Sequence, residues 1–587
     1  MAIRRVRVVA GSLLLLHAVL LAVPSVRYGP RLDEVGHMAA GLSLWQTGDF
    51  TLYAVNPPLV RLWATAIPYL CGWRLNDATS PVAAATRAEF ELGRQFAHNA
   101  ETPLIAWQIA RLSLIPVSLL GAWVAFRWSR ELGGDRAGLL TLSLWTFSPN
   151  LLATGSSICP DMAAASIGLA TLYLFRQWLT HPTWSSTVRF GVLLGLTELT
   201  KFTWITLLVG LPLVWLTVRI RQSEAVSWWR EAAMGVAAGL IAWDVVVLGY
   251  AATDVGRPLG DFSFVSESLG GGGGNRFRET ALAGVPFPLP AAALEGIDVQ
   301  KRDFERGFRS YLLGEWKHGG WLHYYAVAML VKTPIAFWPL LVWGLANLIR
   351  TPAGRPARAD RWLLVGTAGG IFVFVSSQTA FSHHVRYVLP CLPPLLVIAG
   401  QSARQAGRVP LVLALLFAAE SLSQFPNVQS FFTWTIGGPR AGRFVLVDSN
   451  LDWGQDVTAV SRWQNAHPEV PRPIGYLYFG FVDPSDFGVE YALPPPQPIT
   501  PGDRLAAARW PDRYGPQPGW YAVSASVLMG IHYSVPNGQG GSVYVDDDRY
   551  GYFQDFSPHA VLAGSVYLFH ISQEDVEKWS VDRRRIR

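Results

Sequence analysis

The sequence is poor in charged residues. Asp, Glu, Lys and Arg make up 15% of its 587 residues, whereas ordinary soluble domains contain roughly 25%. Half of the residues are hydrophobic, and they are gathered into long runs, which predicts membrane-spanning helices. The net charge is +6 and comes largely from arginines near the ends of these runs. We therefore expect no nucleic-acid partner.

Cysteine is scarce as well. The three cysteines, Cys71, Cys159 and Cys391, lie far apart in the sequence, so neither a zinc-ligand spacing nor a disulfide framework is indicated. His383 and His384 are adjacent, but two ligands are too few to define a metal site. The sequence therefore assigns no metal ligand and no firm cofactor, and it leaves a divalent metal open.

Eleven apolar runs divide the first part of the chain. The links Arg127–Arg136 and Arg350–Arg361 are rich in arginine and fall on the same side of the membrane in this count, which the positive-inside rule makes cytoplasmic. We therefore predict a mainly α-helical polytopic membrane part over residues 1–425, with external loops 26–102 and 251–319. The runs cover about 8–23, 104–126, 137–153, 162–179, 189–199, 203–219, 230–250, 321–348, 362–378, 386–402 and 409–424.

Residues 426–587 have a different composition, because long apolar runs stop and Pro, Asp and aromatic residues increase. This length is sufficient for a core of its own, so we predict an extracytoplasmic soluble α/β domain. Its predicted strands are Phe444–Val447, Ile474–Phe479, Trp520–Val523 and Ser565–His570, and its predicted helix is Val457–Asn465.

The string Asp448–Asp456 in this region reads Asp-Ser-Asn-Leu-Asp-Trp-Gly-Gln-Asp. Its side chains with oxygen ligands at alternating positions are similar to the start of a calcium-binding loop, but the glycine comes one position late. Ala459 also stands where that loop needs a bidentate glutamate. A strand-to-helix turn with a capping side chain is the simpler interpretation.

The segment after the first apolar run carries the clearest chemistry. It opens with Asp33 and Glu34, continues with His37, and closes with Asn56 followed by two prolines. A carboxylate just outside a bilayer suits proton abstraction from a polar substrate. The simpler alternative is a helix start, where the helix dipole favours acidic residues.

Three further polar residues lie at the ends of apolar runs. Asp161 begins the fourth run and is either a functional carboxylate or an interfacial cap. Lys201 lies between two short runs, where a broken helix would offer it to a phosphate, whereas a snorkelling lysine would only reach for water. Arg386 can grip a phosphate through two donors or serve as an interfacial anchor.

These motifs resemble those of the GT-C glycosyltransferases. The segment Leu32–Leu59 is similar to the first external loop of protein O-mannosyltransferases and aminoarabinose transferases, and Arg386-Tyr387-Val388-Leu389-Pro390 is similar to their Arg-Tyr-x-x-Pro element.

The resemblance implies Asp33 as catalytic base with Glu34 beside it, and Asp161 as a second acid that faces the first. It also implies Lys201 and Arg386 on the donor phosphate. The substrate contacts implied are His37, Asn56, His384 and Tyr387, and Asn56 stands where many relatives have His or Lys.

The resemblance implies an inverting glycosyltransferase of the bacterial inner (plasma) membrane, with its catalytic loops outside. The donor would be a sugar on a polyprenyl phosphate, and the acceptor a hydroxyl of a glycan, lipid or protein. The five glycines Gly270–Gly274 lack the features of a nucleotide-binding loop. A transporter or flippase for lipid-linked sugars and a non-catalytic envelope assembly protein are the alternatives.

Overall fold

The computed structural model describes residues 2–77, 87–220, 227–350, 359–405, 407–510 and 513–586. Residues 78–86 of the predicted external loop and residues 351–358 of the second arginine-rich link lie outside this description. Helices dominate the chain up to residue 422, and the larger sheet follows residue 473. This agrees with the predicted order of a helical part before a part that contains strands.

The α-helices of the first part follow the apolar runs and also occupy the two predicted external loops. They are Ala2–Arg27, Leu32–Thr47, Leu59–Leu70, Ala88–Asn99, Pro103–Ser113, Ile115–Gly133, Asp135–Thr146, Pro149–Gly155, Asp161–Thr180, Trp184–Glu198, Leu207–Ile220, Trp228–Gly249, Glu267–Gly270, Ala291–Arg306, Tyr324–Lys332, Phe337–Arg350, Thr367–Ser377, Leu392–Gly400 and Val409–Leu422.

Five helical segments among the described residues are long and apolar enough to cross a membrane. They are Arg4–Arg27, Pro103–Gly133, Phe202–Ile220, Trp228–Gly249 and Ala359–Ser377. The helices Tyr324–Lys332 and Phe337–Arg350 meet at a bend of 109° and count as a sixth span if they are taken together. The predicted run 137–153 is broken before Pro149, so it forms two short helices instead of one long span. The chain therefore has several membrane-length helices, while the predicted number of eleven includes short and broken ones.

Small residues allow two of these helices to pack closely. A Cβ atom on Gly191 would lie 2.7 Å from the carbonyl oxygen of Ala238, and one on Gly195 would lie 2.6 Å from that of Ala242. Both glycines belong to Trp184–Glu198, and both alanines belong to Trp228–Gly249. Close backbone approach of this kind is how helices associate where no hydrophobic effect drives them together.

The strands of the described residues are β1 (Arg309–Leu312), β2 (Glu315–His318), β3 (Ile474–Leu477), β4 (Tyr491–Ala492), β5 (Gly519–Ser524), β6 (Tyr533–Pro536), β7 (Ser542–Val545), β8 (Ala560–Leu562) and β9 (Val566–Ile571). Five of them form a mixed sheet in the later part of the chain, in the order β4-β3-β5-β9-β8. β3 pairs in parallel with β4 and β5, whereas β9 is antiparallel to β5 and β8. β1 with β2 and β6 with β7 form separate antiparallel pairs.

Helices flank this sheet, and one strand prediction is wrong. The helices of this part are Gly438–Gly442, Val457–Ala466, Pro501–Arg509, Ala525–Leu528, Asp547–Tyr550 and Gln573–Ile586. The predicted strand Phe444–Val447 is instead a turn and an extended link, because the amides of Val445 and Leu446 donate to the carbonyl of Gly442. The other three predicted strands and the predicted helix overlap elements of the structure.

The loop Asp448–Asp456 joins the two parts. The amide of Gly29 donates to the carbonyl of Gln455 at 2.8 Å, and that of Leu32 donates to the carbonyl of Trp453 at 2.9 Å. These bonds from a distant segment of the chain hold the start of the helix Leu32–Thr47 in place. The helix ends where Gly48 takes a left-handed φ of +73°.

Candidate active site

Two helix starts bring the predicted acids together. Asp33 is the second residue of the helix Leu32–Thr47, and Asp161 is the first residue of the helix Asp161–Thr180. The positive end of each helix dipole favours a carboxylate at these positions. The two acids are also joined by one cation: Arg386 Nη2 lies 2.6 Å from Asp33 Oδ2, and Arg386 Nη1 lies 3.2 Å from Asp161 Oδ2.

The two carboxylates differ in what remains available to a substrate. Asp161 has a side-chain exposure of 1%, and its two oxygens are taken by Arg386 and by Lys201, whose Nζ is 2.6 Å away. The side chain of Asp33 is 19% exposed and its ion pair uses Oδ2. The geometry therefore favours Asp33 for contact with a substrate and Asp161 for holding the two cations.

Both predicted phosphate-binding cations are held in place by the fold. Lys201 lies in the break between the helix that ends at Glu198 and the 3-10 turn Phe202–Thr206, which confirms the predicted broken helix. Its ammonium group faces Asp161 and lies 5.1 Å from the ring centre of Tyr387. Lys201 is thus paired with a buried acid, which favours the broken-helix interpretation over a lysine that snorkels to water.

Arg386 lies in the 3-10 turn Val385–Cys391. Its guanidinium carbon is 4.3 Å from the ring centre of Trp453, which is close enough for a cation–π contact. With two acids on its edge and an indole over its face, Arg386 is confined to one orientation. An interfacial anchor needs no such confinement.

A cavity of about 510 Å³ lies beside these ion pairs. Seven of the nine predicted site residues line it: Asp33, Asn56, Asp161, Lys201, His384, Arg386 and Tyr387. Apolar side chains form another part of its wall, among them Ile205, Phe304, Phe374 and Phe381. The site thus combines a charged centre with an apolar surface.

Glu34 does not line the cavity, so the expected catalytic role beside Asp33 is corrected. Its side chain is fully buried and paired with Arg111 at 2.5 Å and with Arg31 at 3.7 Å. It also accepts hydrogen bonds from the amides of Arg31 and Ile158. Burial acts to raise the pKa of Glu34, but the guanidinium groups of Arg111 and Arg31 outweigh it and lower that pKa. Consecutive residues of a helix face different directions, so Asp33 lines the cavity whereas Glu34 meets the two arginines. Through these ion pairs Glu34 stabilises the loop.

His37 does not line the cavity either, so direct substrate contact is corrected for this residue. It is 2% exposed, and its ring packs at 4.4 Å against the ring of Tyr53, which does line the cavity. Burial, helped by the nearby Arg61, lowers the pKa of His37 well below its ordinary value. His37 is thus a neutral ring that supports the cavity wall.

The predicted histidine pair acquires a third polar partner from the later part of the chain. One potential ligand atom from each of His383, His384 and Asp448 lies within 4.8 Å of the others. Asp448 was not expected here, because nothing in its own string reveals a histidine partner 64 positions earlier in the sequence. Burial and the charge of Arg386 lower the pKa of His384 well below its ordinary value.

Asn450 and Trp453 are functional candidates that sequence reasoning missed. The Asn450 amide donates to the carbonyl of His383 at 2.6 Å and accepts from the amide of Val385 at 2.9 Å. Trp453 covers the guanidinium of Arg386. The unusual composition of the Asp448–Asp456 string was the available signal, but its partners could not be read from the sequence.

The two loops that are predicted to be external contribute three further charged residues to the cavity lining. Arg87, Lys301 and Asp303 line it, and Arg87 pairs with Glu89 at 2.6 Å and with Asp303 at 3.4 Å. Lys301 and Asp303 belong to the helix Ala291–Arg306. Charged residues in a polar loop carry no sequence signal that separates these positions from ordinary surface ones.

A comparison with known families and structures finds similarity at the level of fold. The family described as dolichyl-phosphate-mannose-protein mannosyltransferase matches residues 105–246. ArnT from Cupriavidus metallidurans bound to undecaprenyl phosphate is 16% identical with a TM-score of 0.50, over 93% of this chain and 98% of ArnT. The apo form of ArnT is 15% identical with a TM-score of 0.43, over the same 93% and 98%.

The archaeal oligosaccharyltransferase AglB from Archaeoglobus fulgidus, in complex with an inhibitory peptide and a dolichol-phosphate, is 10% identical with a TM-score of 0.41. That match covers 94% of this chain and 75% of AglB. No curated protein sequence matches this chain. The full-length likeness to ArnT and the family match confirm the predicted resemblance at the level of the fold, although the family match lies outside Leu32–Leu59. The chain is a membrane protein with the fold of the GT-C glycosyltransferases.

Proposed function

We propose that this protein is an inverting glycosyltransferase that moves a sugar from a polyprenyl-phosphate donor to an external hydroxyl group. One observation carries the proposal. The partly exposed carboxylate of Asp33 lines the same cavity as Arg386 and Lys201, and Arg386 bridges the two acids. A base and a candidate phosphate-binding cation thus share one cavity, as a displacement reaction at a sugar carbon requires.

The reaction balances in a single displacement. Asp33 accepts the proton of the acceptor hydroxyl while the hydroxyl oxygen forms a bond to the anomeric carbon. The bond from that carbon to the donor phosphate breaks on the opposite face, and its electron pair leaves with the phosphate oxygen. Arg386 stabilises the negative charge that develops on this oxygen. Lys201, which pairs with the same Asp161 as Arg386, adds a second positive charge. Attack opposite the leaving group inverts the anomeric carbon.

The cavity wall supports a lipid-linked donor. Ile205 lies in the membrane-length segment Phe202–Ile220, and Phe374 lies in Ala359–Ser377. A phosphate on the two cations would place its lipid chain against these apolar side chains. The similar fold of ArnT was solved with undecaprenyl phosphate bound, which agrees with this class of donor. A glycan, lipid or protein hydroxyl remains the proposed acceptor.

We also propose the finer topology. Residues 1–425 form an eleven-span membrane domain of the bacterial inner membrane, and residues 426–587 form an extracytoplasmic α/β domain. This places the bonds between Gly29 and Gln455 and between Leu32 and Trp453 outside the membrane. Single cysteines at positions 290 and 500 should be labelled by an impermeant reagent from outside, and one at position 130 only from the cytoplasm. Cytoplasmic labelling of position 500 would reject this orientation.

The Asp33→Asn variant tests the activity. It keeps the size of the side chain and removes the proton acceptor, so we expect transfer to fall by roughly 100-fold or more. Mass spectrometry of lipid-linked sugars should show the donor accumulating in cells that carry this variant as their single copy. The matched control is Asp49→Asn, because the Asp49 carboxylate in the same loop binds Thr51.

Three results distinguish the alternatives. A transfer rate within threefold of wild type for Asp33→Asn would remove the base from the proposal. Sugar export without a new glycosidic bond would indicate a flippase. An unchanged level of lipid-linked sugar in cells that lack the protein would indicate an assembly role.

A further inference from the structure

The second cluster of polar groups at the cavity wall has the composition of a metal site. His383 and His384 line the cavity, and the loop Asp448–Asp456 adds the carboxylate of Asp448, 3.8 Å from His384 Nδ1. One potential ligand atom from each residue lies within 4.8 Å of the others. Ligands of one zinc-sized ion are separated by roughly 3.4 Å, given bond lengths of about 2.1 Å, so small side-chain movements would suffice.

The surroundings prepare these groups for a cation. His383 donates its Nε2 proton to the carbonyl of Arg309 at 2.6 Å, which leaves the Nδ1 lone pair as the ligand atom. A backbone carbonyl on the other ring nitrogen is the usual partner of a metal-bound histidine. The hydroxyl of Ser449 forms a hydrogen bond with His384 Nδ1, so a cation on that nitrogen would replace this bond.

The backbone also holds the ligands in place. Asp448 has a φ of +59°, in the left-handed region that residues other than glycine rarely adopt. Asn450 bonds the carbonyls of both His383 and Val447, so it ties the histidine segment to the residue before Asp448. The three ligands come from two segments that are fixed relative to each other, which is what a preorganised site requires.

The carboxylate of Asp448 differs from those of Asp33 and Asp161 in its charged partners. Asp33 pairs with Arg386, and Asp161 pairs with both Arg386 and Lys201. Within the described parts of the chain, the one ion-pair contact within 4 Å of the Asp448 carboxylate is with His384. A lipid phosphate would bring further negative charge into the same cavity.

We propose that His383, His384 and Asp448 bind one divalent first-row transition-metal cation. Two imidazoles and a carboxylate suit Mn²⁺, Fe²⁺ or Zn²⁺. If the proposed transfer reaction is correct, on which this part of the inference rests, the cation faces the donor phosphate and helps Arg386 to stabilise the leaving group.

The test measures metal binding directly. The purified full-length protein is stripped with a chelator, dialysed against Zn²⁺ or Mn²⁺ separately, and analysed by elemental mass spectrometry. We expect about one cation per chain for at least one of the two metals. The double variant H384Q/D448N should lose at least ~10-fold in affinity, the usual scale for a damaged metal site.

A control double variant and a melting-temperature measurement complete the experiment. His98 and Asp486 form a histidine–aspartate pair outside the cavity lining at 2.9 Å, so H98Q/D486N should bind the cation like wild type. The cation should also raise the melting temperature of wild type, and this decides the question if the double variant fails to fold. Binding by H384Q/D448N equal to wild type, or no melting shift with either metal, would overturn the proposal.

The metal site and the transfer reaction fail separately. Asp33→Asn should bind the cation normally and lose transfer, because Asp33 is not one of the proposed ligands. Transfer that depends on Asp33 in a protein that binds neither metal would reject the metal site alone. Metal binding in a protein without transfer activity would reject the reaction and leave the site in place.

Discussion

The first of the predicted external loops (residues 26–102) and the loop Asp448–Asp456 both bury carboxylates, but the partners of these carboxylates differ. Glu34 of the first loop is paired with two arginines, and these lower its pKa against the effect of burial. Asp452 and Asp456 of the second loop contact hydroxyl and amide groups instead. Burial raises their pKa values to about 7 and about 6.

The difference shows that an acidic residue in a loop has no role until its partners are known. Asp33 and Glu34 are neighbours in the sequence, yet one lines the cavity and the other is locked into the framework. The second loop has three acids, and only Asp448 of these belongs to the candidate site, together with Asn450 and Trp453. Substitutions at four positions test this contrast.

The largest effect is expected from Glu34→Gln. It leaves the guanidinium of Arg111 buried without its carboxylate, which should lower the free energy of unfolding by about 3–5 kcal/mol. Thermal unfolding in detergent is the measurement. Glu91→Gln, which breaks a more exposed ion pair with Arg94 in the same external loop, should cost less than about 1 kcal/mol. Similar losses for both variants would contradict the structural role of Glu34.

Arg386→Met should affect catalysis more than folding. It removes the group that pairs with Asp33 and that we propose for the donor phosphate, so we expect the barrier to rise by about 2–4 kcal/mol. Arg386→Lys keeps the charge but cannot bridge two acids with a planar group, so it should be impaired as well.

The transfer rate in liposomes is compared with protein level and melting temperature for both Arg386 variants. Arg408→Met is the control, because Arg408 is an exposed arginine at the start of the helix Val409–Leu422. If Arg386→Lys were fully active, the bridging role and the phosphate assignment would both be wrong.

Asn450→Ala tests whether the second loop positions the first site. It leaves the amide of Val385 without its partner and removes one of two donors to the carbonyl of His383, which still accepts from the hydroxyl of Tyr324. The unpaired amide should cost about 1–3 kcal/mol of stability. Because Arg386 follows directly, transfer should fall by roughly 10-fold or more. Asn537→Ala removes a half-buried turn amide far from the cavity lining in sequence and should leave transfer unchanged. Loss of stability with full activity per folded molecule would separate the second loop from the site.

The smallest effect concerns pH. Asp452 keeps its proton in the folded protein up to about pH 7, whereas an unfolded chain releases it near pH 4. The folded state therefore binds more protons between these values, and the free energy of unfolding falls as the pH rises from about 4 to 7. Asp452→Asn should remove about 1–2 kcal/mol of this fall. Melting temperatures from pH 5 to pH 8 measure it, with the exposed Glu490→Gln as control. An unchanged slope would show that Asp452 is ionised throughout.

Much of the site could be predicted because its residues lie at the ends of apolar runs. Asp33, Asp161, Lys201 and Arg386 each follow or begin such a run, and the helices that form there bring the four side chains into one ion-pair chain. Polar groups at membrane-span ends are uncommon enough to be noticed. The assignment of His37 failed, because helical spacing does not say which face of the helix Leu32–Thr47 meets the cavity.

The sequence by itself determined the helical membrane character, the order of the two parts and the main acid and cation candidates, because apolar runs and charged run ends are local properties. Only the tertiary structure decided that Glu34 is bound by Arg111 and that Asp448 joins His383 and His384. It also decided that Trp453 covers Arg386. These contacts join segments far apart in the chain, and their formation depends on how the helices and the sheet pack together.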